Sequence, residues 1–486
     1  MRGRFRDPLI EIAPFGATVS AELIATVLAR VARWAPAEVS RAQLAAGWAE
    51  APRQLDRRTL PQASTSKAVT RLIEAKLLAE GDRRPAGKRH YVWPLRLGTG
   101  YVTAAAHVAM ELGRPVAVTT ILCDIVGWQI HASESEEIGN PEAGPWPALA
   151  STIHRHVCLL LDGHDRSRDR DGVGPELFGL GVEVGAPVFD GKVTPIVNKQ
   201  HFAPQTIDLE HELRVAFGAG NRFPDIPIIV ENDAAALAAL AIRELGYGFS
   251  DLAVVAVFHA GVGGGLVMDG RVRRGKSGKA MEVGHIVVDH PPGHPVPGRE
   301  PLELPDTAKW VGRDEEDQPA ECTCGAIGHV DGIATPRAIL AKLGASADQP
   351  RLDVAVRNVP YREGRLLLSR AGAALGQALS HVCNVVDPSE LIVYLPAEIT
   401  DSAPGSPLAD YRRAVSAEIT ATFAVDAVDA TEIVFRSLPD EPVVLQELGA
   451  RAAAVCVLDA IIEHASEGDL ASRADSSGDA ARMPKA

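Results

Sequence analysis

The chain has 486 residues, of which 46% are apolar and 23% charged, a balance that excludes wholesale disorder and the fibrous classes. The length allows two to four domains with sizeable cores. Net charge is −14, which for the chain as a whole argues against nucleic acid as a partner.

There is no run of 18 or more uncharged apolar residues, and the start, Met1-Arg-Gly-Arg-Phe-Arg-Asp, lacks the apolar stretch of a signal peptide. A cytoplasmic protein without a membrane span is expected. Six cysteines, with Cys322 and Cys324 one residue apart, suit a reducing compartment and a metal better than a disulfide framework.

The charge is unevenly placed. Between Arg53 and Arg96 eleven Lys/Arg stand against four acids, a net +7 on an otherwise acidic chain. A basic module on an acidic body reads as a DNA-binding head. Leu23, Ile24, Val27, Leu28 and Val31 recur at helical spacing over 21–34. Ser40 caps a short helix holding Ala42, Leu44 and Ala45. A third helix is expected over 64–78, burying Val69, Leu72, Ile73 and Leu77 and turning Thr65, Ser66, Lys67, Thr70 and Arg71 outward. Short hydroxyls and cations near a helix N-terminus suit phosphates and base edges. After Gly81 comes a basic, hairpin-like stretch with Arg83, Arg84, Lys88 and Arg89. In this order the segments predict a winged helix-turn-helix over residues 1–97, the plainer alternative being a solvated charged helix and loop. The polar stretch 47–63 is longer than the turns such modules use.

In the body, residues 102–130 fit two strands joined by a turn around Glu111-Leu-Gly-Arg-Pro, and a strand follows from Gly179. The run Ile226-Pro-Ile-Ile-Val-Glu-Asn-Asp-Ala-Ala-Ala puts a buried strand directly before a helix, with Asn232 and Asp233 at the junction. Ligands of α/β folds bind at such strand ends, and a general base for a sugar hydroxyl needs a fixed position of this kind; alone, the pair would equally be a helix cap. Another apolar strand, 252–258, leads into His259-Ala-Gly-Val-Gly-Gly-Gly. That is either a phosphate-cradling loop or a glycine-rich hairpin.

The ordered series Glu231-Asn-Asp, Gly261-Val-Gly-Gly-Gly, Glu282-Val-Gly-His and Cys322-x-Cys-Gly-x-x-Gly resembles the ROK family (repressors, open reading frames and sugar kinases). The resemblance spans nearly the whole chain, because many ROK transcription factors carry an N-terminal winged helix. It implies two ribonuclease-H-like α/β domains of the hexokinase and actin kind, here 98–233 and 234–465, the second ending in a closing helix. A disordered tail, 466–486, is expected after them. By resemblance Asn232, Asp233, Glu282, His285 and Asp331 hold sugar hydroxyls, with Asp233 at the catalytic-base position of the kinases and Asp331 one methylene shorter than the family's glutamate. A structural zinc is implied at His285, Cys322, Cys324 and His329, where the family uses one histidine and three cysteines. An insertion before Cys322 adds His290 and His294 as possible substitutes.

The nucleotide side departs from the kinase pattern in three places. Glu111-Leu-Gly-Arg-Pro stands where kinases have Asp-x-Gly-Gly-Thr, so a glycine, an N–H donor and a hydroxyl are missing. His259-Ala260 replaces Gly-Thr, and Tyr394-Leu395-Pro396 takes the turn the family builds with Gly-Gly. The expected function is therefore a dimeric regulator, a repressor, that answers a sugar or phosphosugar and lacks kinase activity. The alternatives are an ATP-dependent sugar kinase with an appended head, and a regulator whose body only dimerises.

Overall fold

The computed structural model describes residues 8–12, 19–34, 38–46, 59–85, 91–139, 144–166, 175–196, 205–218, 222–223, 225–245, 251–288, 322–345, 351–422 and 431–479. Arg53, Arg57, Arg58, Lys88, Arg89, His290 and His294 lie outside them.

At the N-terminal end the helices Ala21–Trp34, Arg41–Ala46 and Gln62–Glu74 share one core. Ile24, Val27, Leu28 and Val31 fall on one face of the first helix and are buried with Leu44, Val69 and Leu72. Ser40 and Gln43 form a reciprocal cap. Ser40 Oγ accepts from the Gln43 N–H at 3.2 Å, and Gln43 Oε1 accepts from the Ser40 N–H at 2.8 Å. Buried Arg30 donates Nη1 to the Leu44 carbonyl at 2.6 Å, tying the first helix to the second.

The third helix begins at Gln62, after Pro61, and stops at Glu74, short of the expected residue 78. Lys76 takes a positive φ of 60° and turns the chain out of the helix, so Leu78 opens the strand Leu78–Glu80. That strand pairs antiparallel with Leu95–Leu97, and Arg84–Pro85 pairs with Tyr91–Val92.

The body holds two five-stranded sheets with one topology. In spatial order the first runs Ile228–Asn232, Glu176–Val184, Tyr101–Glu111, Arg114–Cys123, Glu134–Glu137. The second runs Arg271–Val272, Val262–Met268, Leu252–Val257, Glu390–Pro396, Glu432–Leu438. In each, the strand that comes first in the chain pairs antiparallel with the next strand and parallel with the fourth.

Side-chain alternation explains why these strands read as continuous apolar runs. In Leu252–Val257, Ala253, Val255 and Val257 face a core built with the helices Tyr361–Val386 and Pro407–Thr422, through Leu368, Leu375, Tyr411 and Val415. Leu252, Val254 and Ala256 face the opposite side, toward helix Asp233–Leu245. In the first sheet Ala104, Ala106 and Val108 meet Leu149, Ile153 and Val157 of helix Pro145–Arg166. Ala105, Ile121 and Cys123 meet Ala450, Ala453 and Ala454 of the last helix.

That last helix, Pro442–Asp479, corrects two expectations. It continues past Ser466 to Asp479, where a disordered tail was expected. It also lies on the first sheet as well as the second unit, and its far half enters the N-terminal core. Ala452, Val455 and Cys456 belong to the core around helix Asp233–Leu245, whereas Val457, Leu458, Ile461 and Ala465 belong with the head helices. Among the described residues no helix is long and apolar enough to cross a membrane.

Candidate functional site

The strand Ile228–Asn232 is buried and ends where helix Asp233–Leu245 begins, so the Asn232–Asp233 step sits at the sheet's carboxyl edge. Asn232 Oδ1 accepts from the Ala235 N–H at 3.1 Å, and its Nδ2 donates to the Ala186 carbonyl at 3.2 Å and to Asp233 Oδ1 at 2.9 Å. Asp233 Oδ1 also accepts from the Ala234 N–H at 2.7 Å. One carboxylate oxygen is thus fixed by the helix start, while Oδ2 lies 3.3 Å from where a Cβ on Gly185 would stand. The pair therefore both caps the helix and presents a carboxylate oxygen at the strand end. Burial, and next the Glu183 carboxylate, push the Asp233 carboxyl up to about 7.

Glu183 belongs to a group that the motifs did not reveal. It is 2% exposed on the strand Glu176–Val184 and bonds His107 Nδ1 on the neighbouring strand. Burial works to lower the His107 pKa, but Glu183 and Asp233 outweigh it and raise the ring above its usual value. A Cβ on Gly449 of the last helix would come within 2.1 Å of Glu183 Oε1 and 2.7 Å of His107 Nδ1, so the helix backbone lies directly over the pair. Glu231, 1% exposed, likewise accepts from Arg274 Nε at 2.5 Å and from the Asn232 N–H at 3.1 Å. The visible signal was a lone charge in an otherwise apolar strand, which has to be paired to be buried.

The second sheet supplies the opposite wall. The glycine cluster takes the hairpin form. It lies in the strand Val262–Met268, paired antiparallel with Leu252–Val257. Its glycines serve close packing: a Cβ on Gly263 would meet Ala234 Cβ at 2.8 Å, and one on Gly265 the Ala234 carbonyl at 2.5 Å. The other two nucleotide-side segments are equally regular. Leu112 and Gly113, both with positive φ, close a tight hairpin between Glu111 and Arg114, with Leu112 71% exposed. Tyr394, Leu395 and Pro396, expected in a turn, continue the strand Glu390–Pro396 in register with Arg436, Ser437 and Leu438.

Glu282 precedes the single turn Val283–His285, and His285 ends it. Burial and then Asp331 raise the Glu282 carboxyl above its usual value, and His285 Nε2 stands 3.8 Å from Glu282 Oε2. Asp331, expected among the sugar-binding groups, is 5% exposed and turned into the protein. Its Oδ1 accepts from the Val262 N–H at 2.7 Å, and its Oδ2 accepts from Cys322 Sγ at 3.6 Å. The short carboxylate braces the hairpin instead of facing the cleft.

His285, Cys322, Cys324 and His329 converge, with their ligand atoms within 4.8 Å of one another. His285 Nδ1 lies 3.2 Å from His329 Nδ1 and 3.5 Å from Cys322 Sγ, and Cys324 Sγ lies 3.3 Å from His329 Nδ1. A tetrahedral ion with bonds of about 2.0 Å to nitrogen and 2.3 Å to sulfur sets its ligand atoms roughly 3.3–3.8 Å apart. The residues therefore fit a metal, as a Cys₂His₂ set.

In the head, Lys67, Thr70, Arg71, Arg83 and Arg84 are exposed. Thr65 is not. It is fully buried, and its hydroxyl donates to the Pro61 carbonyl at 3.0 Å, which removes it from the outward face. Ser66 is half-buried, its Oγ accepting from Arg41 Nη1 at 3.0 Å, while Arg41 Nη2 pairs with Glu80 at 2.9 Å.

The model of the ROK family matches residues 112–403. The chain belongs to the ROK family. This ROK chain is 24% identical over 367 residues, 71% of its length and 75% of the relative's, to the DNA-binding transcriptional dual regulator NagC of Escherichia coli strain K12. It is also 34% identical over 129 residues to a glucokinase of Aeropyrum pernix, a stretch covering 26% of this chain and 32% of that enzyme. Among solved structures its fold is similar to that of a ROK family transcriptional regulator described as a homolog of the E. coli MLC protein. That match has a TM-score of 0.59 at 16% identity and covers 92% of this chain and 98% of the other.

Proposed function

We propose that this ROK protein is a DNA-binding transcriptional regulator, acting as a repressor, that responds to a sugar or phosphosugar and has no kinase activity. Residues 1–97 are its winged helix-turn-helix, and 98–233 and 234–465 its two ribonuclease-H-like units. Asn232, Asp233, Glu282 and His285 bind the effector, with Asp233 serving only as a hydrogen-bonding group. The cluster His285, Cys322, Cys324 and His329 holds a structural zinc that stiffens the wall carrying Glu282. Lys67, Thr70, Arg71, Arg83 and Arg84 contact operator DNA, together with Ser66, Lys88 and Arg89, in a homodimer.

The observation that carries the reading is a continuous connection from cleft to head. Helix Asp233–Leu245 starts in the cleft and ends clamped to the last helix, by Arg243 to Asp459 at 2.5 Å and by Arg451 to Glu244 at 2.6 Å. The last helix in turn shares a core with the helices Ala21–Trp34 and Gln62–Glu74. An effector that favours one closure of the cleft thereby shifts the head helices, and differential affinity for the two arrangements couples sugar to DNA. The rival kinase reading draws on the glucokinase match. Against it weigh Arg114-Pro115, His259-Ala260 and Tyr394-Leu395-Pro396, which lack the glycines and hydroxyls that the kinases turn toward nucleotide phosphates.

The test is a gel shift of the full chain on the DNA upstream of its own gene, at two salt concentrations, with and without sugars and their phosphates. Specific binding that persists at the higher salt and changes with one sugar is expected. Binding indifferent to every sugar would instead assign the body to dimerisation alone. ATP-dependent sugar phosphorylation that vanishes in Asp233→Asn would overturn the regulator reading.

A further inference from the structure

The parallel strands Tyr101–Glu111, Glu176–Val184 and Ile228–Asn232 lie side by side in the first sheet, and their registers bring three titratable residues together. His107 stands opposite Glu183, and Asn232 stands opposite Val184, which sets Asp233 beside Gly185. Glu183 offers Oε1 to His107 Nδ1. Among the described residues its other oxygen, Oε2, is buried without a hydrogen-bond partner. The last helix, which covers the pair, supplies no countercharge at this point. Gly449 has no side chain, Glu447 accepts from Gln129 at 3.3 Å, and Arg451 pairs with Glu244 at 2.6 Å. On the opposite wall the hairpin meets Asp233 through Gly263, and the further charge acting on Asp233 is the Glu282 carboxylate.

With all three groups ionised, the two carboxylates outweigh the one imidazolium, and a buried carboxylate oxygen is left unpaired. Taking up a proton relieves both costs. On Asp233 the place of that proton is fixed by the other contacts. Oδ1 already accepts from the Ala234 N–H at 2.7 Å and from Asn232 Nδ2 at 2.9 Å, so a proton on this carboxyl sits on Oδ2. That is also the oxygen left to accept from a sugar hydroxyl. Burial and then Glu183 hold the proton on Asp233, whereas the Ala234 N–H and His107 act to release it. Proton and sugar hydroxyl therefore compete for one oxygen.

We propose that effector binding at Asp233 expels a proton from the group Asp233, Glu183 and His107, and that His107 and Glu183 are positioning residues that set the pH range in which the site answers its sugar. This inference rests on the effector reading above and adds to it a regulation by pH.

The experiment measures binding to the full chain by calorimetry between about pH 5 and about pH 8, in two buffers of unlike ionisation heat so that released protons are counted directly. The probes are free aldohexoses and N-acetylhexosamines, which do not titrate in this range. Below the Asp233 midpoint of about 7, release of about one proton is expected, with affinity rising about tenfold per pH unit and levelling above the midpoint. Glu183→Gln removes the charge that favours the proton and moves the bend about one pH unit down, and His107→Gln removes the charge that opposes it and moves the bend up by about as much. A purely structural role would shift the bend in neither variant, or in both alike, and either result overturns the proposal. A wild type that binds a sugar with no proton released and no pH dependence overturns the linkage while leaving the effector reading standing. If the wild type binds no member of the panel, the effector reading itself fails, and the linkage with it. Should one glutamine variant not fold, the wild-type proton count and the other variant still decide.

Discussion

The two α/β units share one strand order, yet they are closed in different ways. The second unit covers its sheet with a local helix pair, Tyr361–Val386 and Pro407–Thr422. The first unit receives the chain's final helix, which lies across its sheet and then continues into the head. On the function proposed above, the difference gives the cleft a route to the head: one cover belongs to a single core, the other to three. Small residues permit both arrangements. A Cβ on Gly181 of the first sheet would meet the Ala453 carbonyl at 2.2 Å, and one on Gly372 in the second unit's cover would meet the Tyr411 carbonyl at 2.1 Å.

The largest expected effect separates those two glycines. Gly181→Ala and Gly372→Ala each force backbone apart and cost about 1–3 kcal/mol of stability. Only Gly181→Ala should also loosen the head, because it displaces the helix that carries Val457, Leu458 and Ile461 into the head core. Limited proteolysis within residues 1–97, read beside thermal unfolding, checks this. Equal protection of the head in both variants would break the comparison.

A second prediction concerns the acids at the first sheet's edge. The Asp233 carboxyl, pushed up to about 7 by burial and by Glu183, binds its proton more tightly in the folded chain than in the unfolded one. Its contribution to stability is complete below about pH 4 and is lost as pH rises through about 7. Asp233→Asn should therefore show a shallower fall in melting temperature over that window than the wild type. Parallel curves for the two proteins would mean that Asp233 is not the titrating group.

The smallest effect belongs to the second unit alone. Tyr411 is fully buried, and its hydroxyl donates to the Ala334 carbonyl at 2.9 Å. Tyr411→Phe removes that bond and should cost about 1 kcal/mol in denaturant unfolding. A change in DNA binding by this variant would contradict the separation between the two covers.

Much of the fold was legible in residue order. The helix over 21–34, the Ser40 cap, the hairpin around Glu111 and the strand–helix junction at Asn232–Asp233 all rest on local rules: periodicity, capping and turn chemistry. The His/Cys cluster was legible too, because Cys322, Cys324 and His329 are close in sequence and only His285 had to be brought in. Other readings failed where a local pattern supports two structures. The run Gly261-Val-Gly-Gly-Gly suits a phosphate loop and a glycine-rich hairpin equally in sequence, and only the fold shows its hairpin strand packed on Ala234. Thr65 suits an outward hydroxyl by residue type, yet it stands four and seven residues before Val69 and Leu72, on the face turned to the core.

The sequence by itself determined the strand and helix segments, the separation of a basic head from an acidic body, and the family, since these depend on residue type and spacing within short windows. Tertiary structure alone decided that His107 meets Glu183 under Gly449, that Asp331 braces a hairpin, and that one helix joins three cores. Each of those is a contact between segments far apart in the chain. Whether such segments meet depends on how closely two backbones can approach, and in this protein that is set by alanines and glycines whose lack of side chain carries little local signal.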